Sequence, residues 1–338
     1  MDEFEFFFGK EWSDGLPVIA PTEARIAAML QGTRRDPGEA IGQVPPGLET
    51  ATVRSVAVHA VMAGCKPEYL PVLLAGVEAV LDPSFNLAGV QATLAPAAPL
   101  LIVNGPYAKK INLHGGLGCF GPGFRTNATI GRALRLILMN LGSGLPGITT
   151  MSSFSHPARF TYCIAENEAE SPWEPLSATR GFDPEANVAT AVAVEGPVMA
   201  WDDASADPGR LLPPIADVMS HLGCWNVWAG TDQVVAFTPQ QAAICAKAGL
   251  TKADVHRRLC ELAGRTVRDL KRGGQFRPSR IAAFPFPVDL DDDDFWVPTV
   301  KEPERLFVIV AGGVPGPMTA VMHGWNGTSH AVSRAFEA

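Results

Sequence analysis

Residues 99–144 contain the densest group of side chains that could do chemistry. Their pattern indicates a buried strand, a long loop and a strongly apolar helix, and the loop holds His114 and Cys119 among its glycines. Glycine lets main-chain N–H groups approach a ligand closely, and the first amides of a helix are unpaired at the positive end of its dipole. This stretch therefore predicts a pocket for a small molecule or an anion, with Arg125 near the start of the helix.

Part of this loop, residues 116–121, matches the GxGxxG pattern of dinucleotide-binding loops. That fingerprint needs a strand directly before it, a helix that opens within it and an acidic residue about 20 residues later. Here the predicted strand ends about ten residues earlier, Pro122 follows the last glycine, and Asn140 and Leu141 stand where the acid belongs. We therefore expect no nucleotide cofactor.

Cys65 is the residue that we expect to be the reactive thiol. It lies at a break between two predicted helices, next to Lys66, and the second helix is predicted to begin near Glu68. Because nearby positive charge or a helix N-terminus lowers the pKa of a thiol, this position favours a nucleophile. The alternative is a small buried core residue. Cys119, inside the glycine loop, is the second candidate.

Two carboxylates, Glu166 and Glu168, lie in an acidic stretch and are candidates for a general acid or base. An exposed acidic turn is the alternative interpretation. His114 and His156 lie in loops beside the predicted site and could act as bases or metal ligands. A transition-metal site built from His114, His156 and Cys119 with the carboxylates is therefore a second hypothesis, although the chain contains no HxH or HExxH pattern.

The composition limits the class of protein. A chain of 338 residues, 47% hydrophobic and 18% charged, is long enough for one large α/β domain or two modest ones. A formal net charge of −8 argues against a nucleic-acid partner, which would need a basic surface. The cysteines form no CxxC pair, the first residues lack a signal-peptide layout, and no apolar run reaches the roughly 18 residues of a membrane helix. We therefore expect a cytoplasmic protein with reduced thiols and no membrane partner.

Hydrophobic periodicity and capping residues predict the elements that position these groups. Helices are predicted over residues 22–31, 49–64, 68–81, 127–142, 213–222, 239–248 and 252–262. Strands are predicted over residues 85–94, 100–103, 160–165, 188–194 and 234–237. Thr22 is expected to cap the first helix, and Thr126 or Asn127 the helix after the glycine loop.

The end of the chain repeats the order of the glycine-loop region. Residues 305–325 contain a predicted strand, a glycine turn, a proline and a later His-Gly pair, as residues 100–115 do. We therefore expect an α/β fold with two related lobes, built on mixed or parallel sheets with glycine-rich loops at the strand ends. The predicted parts are an N-terminal arm (1–20), a first lobe (21–200) and a second lobe (201–338), whose loops meet at a cleft for the ligand. We also expect a homo-oligomer.

Four segments of the chain resemble one bacterial family. They are MAGCKPEYLP (62–71), GPGFRTNATIGRA (121–133), AENEAESPWEP (165–175) and RGF (180–182). On these motifs the chain resembles the UGSC-type (seleno)proteins, and the likeness extends from residue 21 to about residue 334. The motif that names the family, UGSC or CGSC, is absent from this sequence. Its dithiol or selenol–thiol pair would then be missing, or supplied by a separate small redox subunit.

The resemblance implies redox or carbon–heteroatom bond-cleaving chemistry, and it implies a set of site residues: Cys65, Arg125, Asn127, Glu166, Asn167, Glu168 and Trp173. The leading hypothesis is a cytoplasmic, thiol-dependent oxidoreductase or lyase that acts on a small molecule through Cys65. Arg125 and the loop amides would bind an anionic group, and Glu166 or Glu168 would move protons. Asn104 and His114 are expected to contact the substrate. A third hypothesis is a large, non-catalytic subunit for a small redox partner.

Overall fold

The computed structural model describes residues 3–8, 10 and 12–337. The first part of the described chain contains α1 (Glu3–Phe8), α2 (Glu23–Leu30), β1 (Ala40–Val44), β2 (Glu49–Thr52), α3 (Val53–Ala63), α4 (Leu70–Leu81), α5 (Leu87–Ala92), β3 (Ala98–Asn104), α6 (Pro106–Lys110), α7 (Arg125–Asn140), β4 (Cys163–Ala165), α8 (Leu176–Thr179), β5 (Val188–Val194) and β6 (Val198–Trp201). The second part contains α9 (Pro208–Met219), β7 (Gln233–Phe237), α10 (Pro239–Lys247), α11 (Lys252–Leu262), β8 (Gly264–Thr266), α12 (Val267–Lys271), α13 (Pro278–Ile281), β9 (Trp296–Pro298), β10 (Leu306–Val310), β11 (Met318–His323) and β12 (Val332–Ala335).

Two four-stranded mixed sheets form the centre of the fold, and both have the same pattern of neighbours. The first sheet has the strand order β12-β5-β3-β4, and the second has the order β6-β11-β7-β10. In the first sheet β3 is parallel to β4 and antiparallel to β5, which is antiparallel to β12. In the second, β7 is parallel to β10 and antiparallel to β11, which is antiparallel to β6. The strands β3, β4 and β5 thus occupy the positions of β7, β10 and β11.

The last strand of each repeated unit is exchanged between the sheets. β6 follows β5 in the chain but pairs with β11, and β12 follows β11 but pairs with β5. An isolated bridge between Val194 and Gly324 also joins the ends of β5 and β11. The boundary expected near residue 200 therefore lies at β6, a strand that already belongs to the second sheet.

The two sheets pack face to face, with helices on both outer sides. Ile102 of β3 and Val234 of β7 belong to the same buried cluster between the sheets. The neighbouring residues face the other way: Leu101 packs in a cluster with α3, α4 and α7, and Val235 packs in a cluster with α9 and α11. Because these strands are apolar on both faces, each sheet is covered on both sides, which produces a four-layer helix–sheet–sheet–helix arrangement.

The predicted α/β class is confirmed, as are most of the predicted elements. The strand over residues 188–194 and the helix over residues 252–262 have the predicted bounds. The Thr22 side chain accepts from the Arg25 N–H at the start of α2, as its position before a helix predicts. Local signals such as caps and hydrophobic periodicity therefore decide these elements.

Three predictions about elements are wrong. Residues 87–92, predicted as part of a strand, form α5, because the Asn86 side chain caps it by accepting from the Gly89 N–H. The helix predicted from residue 49 begins at Val53, because residues 49–52 pair with β1. Phe124, rather than either of the two expected residues, precedes the first residue of α7.

The relation between the two halves also differs from the one predicted. The sequence repeat equates β3 with β10, whereas in the sheets β3 takes the position of β7 and β10 that of β4. Both β3 and β10 are followed by glycine because each has a parallel neighbour. The loop after the carboxyl end of each strand must therefore turn tightly, which glycine allows.

Among the described residues, no single helix is both long and apolar enough to cross a membrane. Only the pair Pro67–Leu81 and Pro83–Ala92 has the required length and apolar composition when taken together, and these two helices meet at a bend of 68°.

Candidate functional site

A cleft of about 290 Å³ lies where two glycine turns meet. The first turn lies in the loop between α6 and α7, and the second connects β10 to β11. The Gly312 N–H donates to the Gly115 carbonyl at 2.8 Å, so the two turns are in direct contact. Residues just after β7 and β10 line the cleft, which places it outside the carboxyl ends of parallel strands, where α/β sheets commonly bind ligands.

The walls of the cleft are mainly apolar side chains and glycine backbone. Its larger side chains include Leu117, Phe120 and Met199, and none of the described residues that line it is charged. The Thr238 hydroxyl in its wall already donates to the Gly316 carbonyl at 2.6 Å. The cleft therefore suits a small, uncharged and largely apolar molecule rather than an anion.

Cys119 forms part of the cleft wall and is buried. Burial raises the pKa of its thiol, and the backbone N–H groups of Gly312, Phe120 and Cys119 itself oppose that rise. Burial raises the pKa of Cys65 to about 12 and that of Cys224 to about 11. The Gly312 and Cys119 N–H groups already donate to the Gly115 and Gly116 carbonyls, so the Phe120 N–H is the donor placed to stabilise negative charge on the Cys119 sulfur.

Two predicted site residues, Asn127 and Asn167, hold the glycine turns in place. Asn127 Oδ1 accepts from the His114 N–H, and its Nδ2 donates to the His114 carbonyl, both at 2.8 Å. The Asn167 N–H donates to the Val310 carbonyl at 2.8 Å, and its Nδ2 donates to the Gly312 carbonyl at 3.0 Å. These bonds fix both sides of the cleft relative to the sheets.

The close approach of the glycine loop to β4 depends on Gly115. A Cβ at this position would lie 2.5 Å from the Ala165 carbonyl oxygen and 3.0 Å from the Asn167 nitrogen. Both are backbone atoms, so we expect Gly115→Ala to displace the loop and to lower the free energy of unfolding by about 1–3 kcal/mol, as overpacking usually does. Urea denaturation measures this loss. Gly121→Ala is the matched control, because the nearest atom to its Cβ is 3.3 Å away; equal losses in both variants would contradict the explanation.

Next to these turns, the buried carboxylate of Glu166 connects the two sheets. Its Oε2 accepts from Asn104 Nδ2 and from the Leu176 N–H, each at 2.7 Å. Its Oε1 accepts from the Val310 N–H at 3.4 Å and lies 3.7 Å from Lys252 Nζ. Burial raises the pKa of this carboxyl, while the nearby ammonium and the three N–H donors lower it. Glu166 is therefore a buried crosslink between β3, β10 and α11.

Glu168 extends this polar cluster. Its Oε1 accepts from Asn104 Nδ2 at 2.8 Å and from the Gly105 N–H at 2.9 Å. Asn104 is buried at the end of β3, and its Oδ1 has no hydrogen-bond partner among the described residues. The structure thus brings together three residues that the sequence analysis selected, but none of the three lines the cleft.

Cys65 and Arg125, predicted to act together, do lie close to each other but do not line the cleft. Arg125 Nε and Nη2 donate to the Gly64 carbonyl at 3.1 and 3.0 Å. Cys65 is a buried core residue, and burial raises the pKa of its thiol to about 12. Its N–H donates to the Ala60 carbonyl, so it terminates α3 rather than starting the next helix as expected.

The two loop histidines have separate surroundings. The His114 ring stacks on Phe124 with 3.7 Å between the ring centroids. His156 Nδ1 accepts from the Ala158 N–H at 3.2 Å, and burial lowers the pKa of His156. Within the described part of the chain, these histidines and Cys119 do not form a group whose ligand atoms lie within 4.8 Å of one another. The expected loop metal site is therefore not assembled.

Trp173, the remaining predicted residue, is half-buried and packs on the second sheet. Its Nε1 donates to the Leu250 carbonyl at 3.2 Å, and its ring meets the edge of Phe237 at 5.8 Å between centroids. It does not line the cleft, and its contacts hold the segment before α8 against the second sheet.

A group that the sequence analysis did not select is His221, Cys224 and His323. In the described part of the chain, these three residues place one possible metal-ligand atom each within 4.8 Å of the others. Burial lowers the pKa of His323 to about 4 and raises that of Cys224 to about 11. The HxxC spacing of residues 221–224 is the only sequence signal for this group, since its third member lies far along the chain.

Comparison with protein-family models, curated proteins and solved structures finds no match to this chain. The likeness to the UGSC-type proteins, the small redox subunit and the homo-oligomer therefore stay predictions.

Proposed function

We propose that this protein is an enzyme that binds a small, uncharged molecule in the cleft between its glycine turns and acts on it through Cys119. The observation that supports this proposal is the position of the thiol: Cys119 is in the cleft wall, where two glycine turns meet, and the Phe120 N–H lowers its pKa. Cys65 is a weaker candidate, because its thiol is in the core and its pKa is about 12. A thiol needs access to its ligand and some stabilisation of the thiolate, and Cys119 has both.

The proposed chemistry is nucleophilic attack by the Cys119 thiolate on an electrophilic carbon of the bound molecule. The sulfur–carbon bond forms while the bond from that carbon to its leaving heteroatom breaks, and the heteroatom keeps the electron pair. The proton released from the thiol is taken up by solvent, and the leaving heteroatom takes a proton from solvent. Water then attacks the same carbon, the carbon–sulfur bond breaks with its electron pair on sulfur, and a proton from that water restores the thiol. The Phe120 N–H lowers the pKa of the thiol before attack, and the apolar walls hold the uncharged molecule beside it.

Alkylation of the native protein with iodoacetamide, a small uncharged reagent, tests this proposal, with mass spectrometry locating the modified cysteines. We expect Cys119 to react well before Cys163, which is buried in the core and does not line the cleft. Because burial raises the pKa of Cys119, its reaction rate should keep rising with pH beyond the ordinary pKa of a cysteine. A native protein in which Cys119 stays unmodified while Cys163 reacts would overturn the proposal.

Variants separate the cleft from the thiol itself. Met199→Trp adds bulk at the cleft wall from an exposed position, so it should slow the alkylation of Cys119. Met151→Trp, at an exposed position away from the cleft, is the matched control and should leave the rate unchanged. In a screen of thiol-dependent reactions on small apolar substrates, Cys119→Ser should abolish turnover and Cys65→Ser should retain it. The opposite result would favour the thiol expected from the sequence.

A further inference from the structure

The group of His221, Cys224 and His323 lies at the opposite end of β11 from the cleft. Met318, at the start of β11, lines the cleft, and His323 is the last residue of the same strand. Five residue steps along a strand span roughly 17 Å, so the two places are well separated. The group is therefore a separate site from the cleft that contains Cys119.

Two of the three side chains come from one turn. His221 and Cys224 follow the end of α9, and the Cys224 N–H donates to the His221 carbonyl at 3.0 Å. This turn places both side chains next to His323 at the end of β11, with the two imidazole rings 5.0 Å apart at 80°. The chain thus brings two nitrogen ligands and one sulfur ligand to one point from two different elements.

The orientation of His323 leaves one ring nitrogen available. Its Nε2 lies 3.0 Å from the Val218 carbonyl, which can only accept a hydrogen bond, so Nε2 carries the proton. Nδ1 then keeps its lone pair and is the free ligand atom. Metal-binding histidines commonly have this arrangement, in which the second nitrogen donates to a carbonyl and fixes the ring.

The backbone around His323 is held rigidly. The Gly324 N–H donates to Asn226 Oδ1 at 3.0 Å, and a Cβ at Gly324 would lie 1.8 Å from the Asp232 carbonyl oxygen. On the other side, Gln233 Nε2 donates to the Met219 carbonyl at 3.1 Å and fixes the end of α9. Both elements that supply the ligands are therefore preorganised, which lowers the cost of binding an ion.

We propose that His221, Cys224 and His323 bind one transition-metal ion of the zinc class. Imidazole and thiolate are the ligands that zinc prefers, and three protein ligands leave a fourth position for water. Around a tetrahedral zinc ion the ligand atoms lie about 3.3–3.6 Å apart, as follows from metal–ligand bonds of about 2.0–2.3 Å. The three atoms lie within 4.8 Å of one another, and rotation of the His221 side chain, the most exposed of the three, shortens its distances to the other two.

Titration of the metal-free protein with Co²⁺ tests this proposal. The full chain, purified without a histidine tag and treated with a chelator, should bind one equivalent of Co²⁺. We expect thiolate-to-cobalt charge transfer in the near ultraviolet and the intense visible bands of a four-coordinate ion, both of which Zn²⁺ should remove by displacement. A folded protein that binds no Co²⁺, or binds it without the thiolate band, would overturn the proposal.

A matched pair of cysteine variants assigns the thiolate band. Cys224→Ser should abolish the band and weaken binding by about 100-fold or more, since even the loss of an indirect contact to a metal ligand costs about 10–100-fold. Cys260→Ser is the control, because Cys260 also lies beside a histidine, with its Sγ 4.0 Å from His256 Nδ1, but lacks a third ligand. Circular dichroism checks that both variants are folded. A thiolate band that persists in Cys224→Ser or disappears in Cys260→Ser would refute the assignment.

Discussion

Replacing Glu166 with alanine is expected to lower the free energy of unfolding by about 3–5 kcal/mol, one of the two largest effects that we predict. The side chains of Glu166 and Lys252 are almost completely buried and lie 3.7 Å apart. Removal of the carboxylate would leave the ammonium in the protein interior, where, among the described residues, its remaining polar contact is the Glu174 carbonyl at 2.9 Å. It would also leave Asn104 Nδ2 with one acceptor fewer. An uncompensated buried charge is costly because it has lost both water and its partner.

Equilibrium urea denaturation of the variants measures this loss, and a double variant shows its origin. Glu166→Ala combined with Lys252→Met removes both charges, so we expect it to be more stable than Glu166→Ala alone. If the double variant is no more stable than Glu166→Ala, the buried ammonium is not the cause of the loss. If Glu166→Ala itself costs less than 1 kcal/mol, the carboxylate does not act as the crosslink described above.

The second large effect is expected at the opposite end of β7 and β10. Asp232 and Arg305 precede these strands and form a buried ion pair, with Oδ1 and Nε 2.8 Å apart. Arg305 Nη1 also donates to the Gly327 carbonyl at 2.9 Å, and Asp232 Oδ2 accepts from the Ala331 N–H. The pair thus holds the segment that leads into β12. We expect Asp232→Ala to lower the free energy of unfolding by about 3–5 kcal/mol, because it leaves a buried guanidinium without its carboxylate.

Asp294→Ala provides a matched control for this variant. It removes an ion pair of the same chemical type, with Arg268, but both of its side chains are largely exposed. Such pairs contribute about 0–1 kcal/mol, so the control should unfold at nearly the wild-type urea concentration. Limited proteolysis should also cut Asp232→Ala faster than the control near residues 326–331. Similar losses in the free energy of unfolding in the two variants would show that burial of the Asp232–Arg305 pair is not the cause of the loss.

The residues of the polar cluster could be selected from the sequence, but their role as a buried crosslink between the two sheets could not be predicted from it. Asn104 and Glu166 each directly follow a predicted strand, and Glu168 comes two residues after Glu166, so their proximity follows from the meeting of strand ends. Their burial depends on Lys252 and Val310, which lie far along the chain. A carboxylate in an acidic stretch looks like a solvated turn until the elements that cover it are known.

The choice between thiols depended on tertiary structure for the same reason. Cys65 and Cys119 each directly follow a glycine in the sequence. Whether a thiol faces a core or a cleft is decided by the packing of distant elements, here the turn after β10 against the glycine loop. The residues next to each cysteine in the sequence contain no information about this contact between the two turns.

The sequence by itself determined the α/β class, the helices and strands with strong periodicity, the cap at Thr22 and the glycine loop at a strand end. These features depend on interactions between residues a few positions apart. Only the tertiary structure decided the stacking of the two sheets, the exchange of β6 and β12, and the meeting of His323 with the turn after α9. These depend on pairing and burial between residues that are distant in the chain, and a local pattern does not encode which of several apolar strands becomes a neighbour.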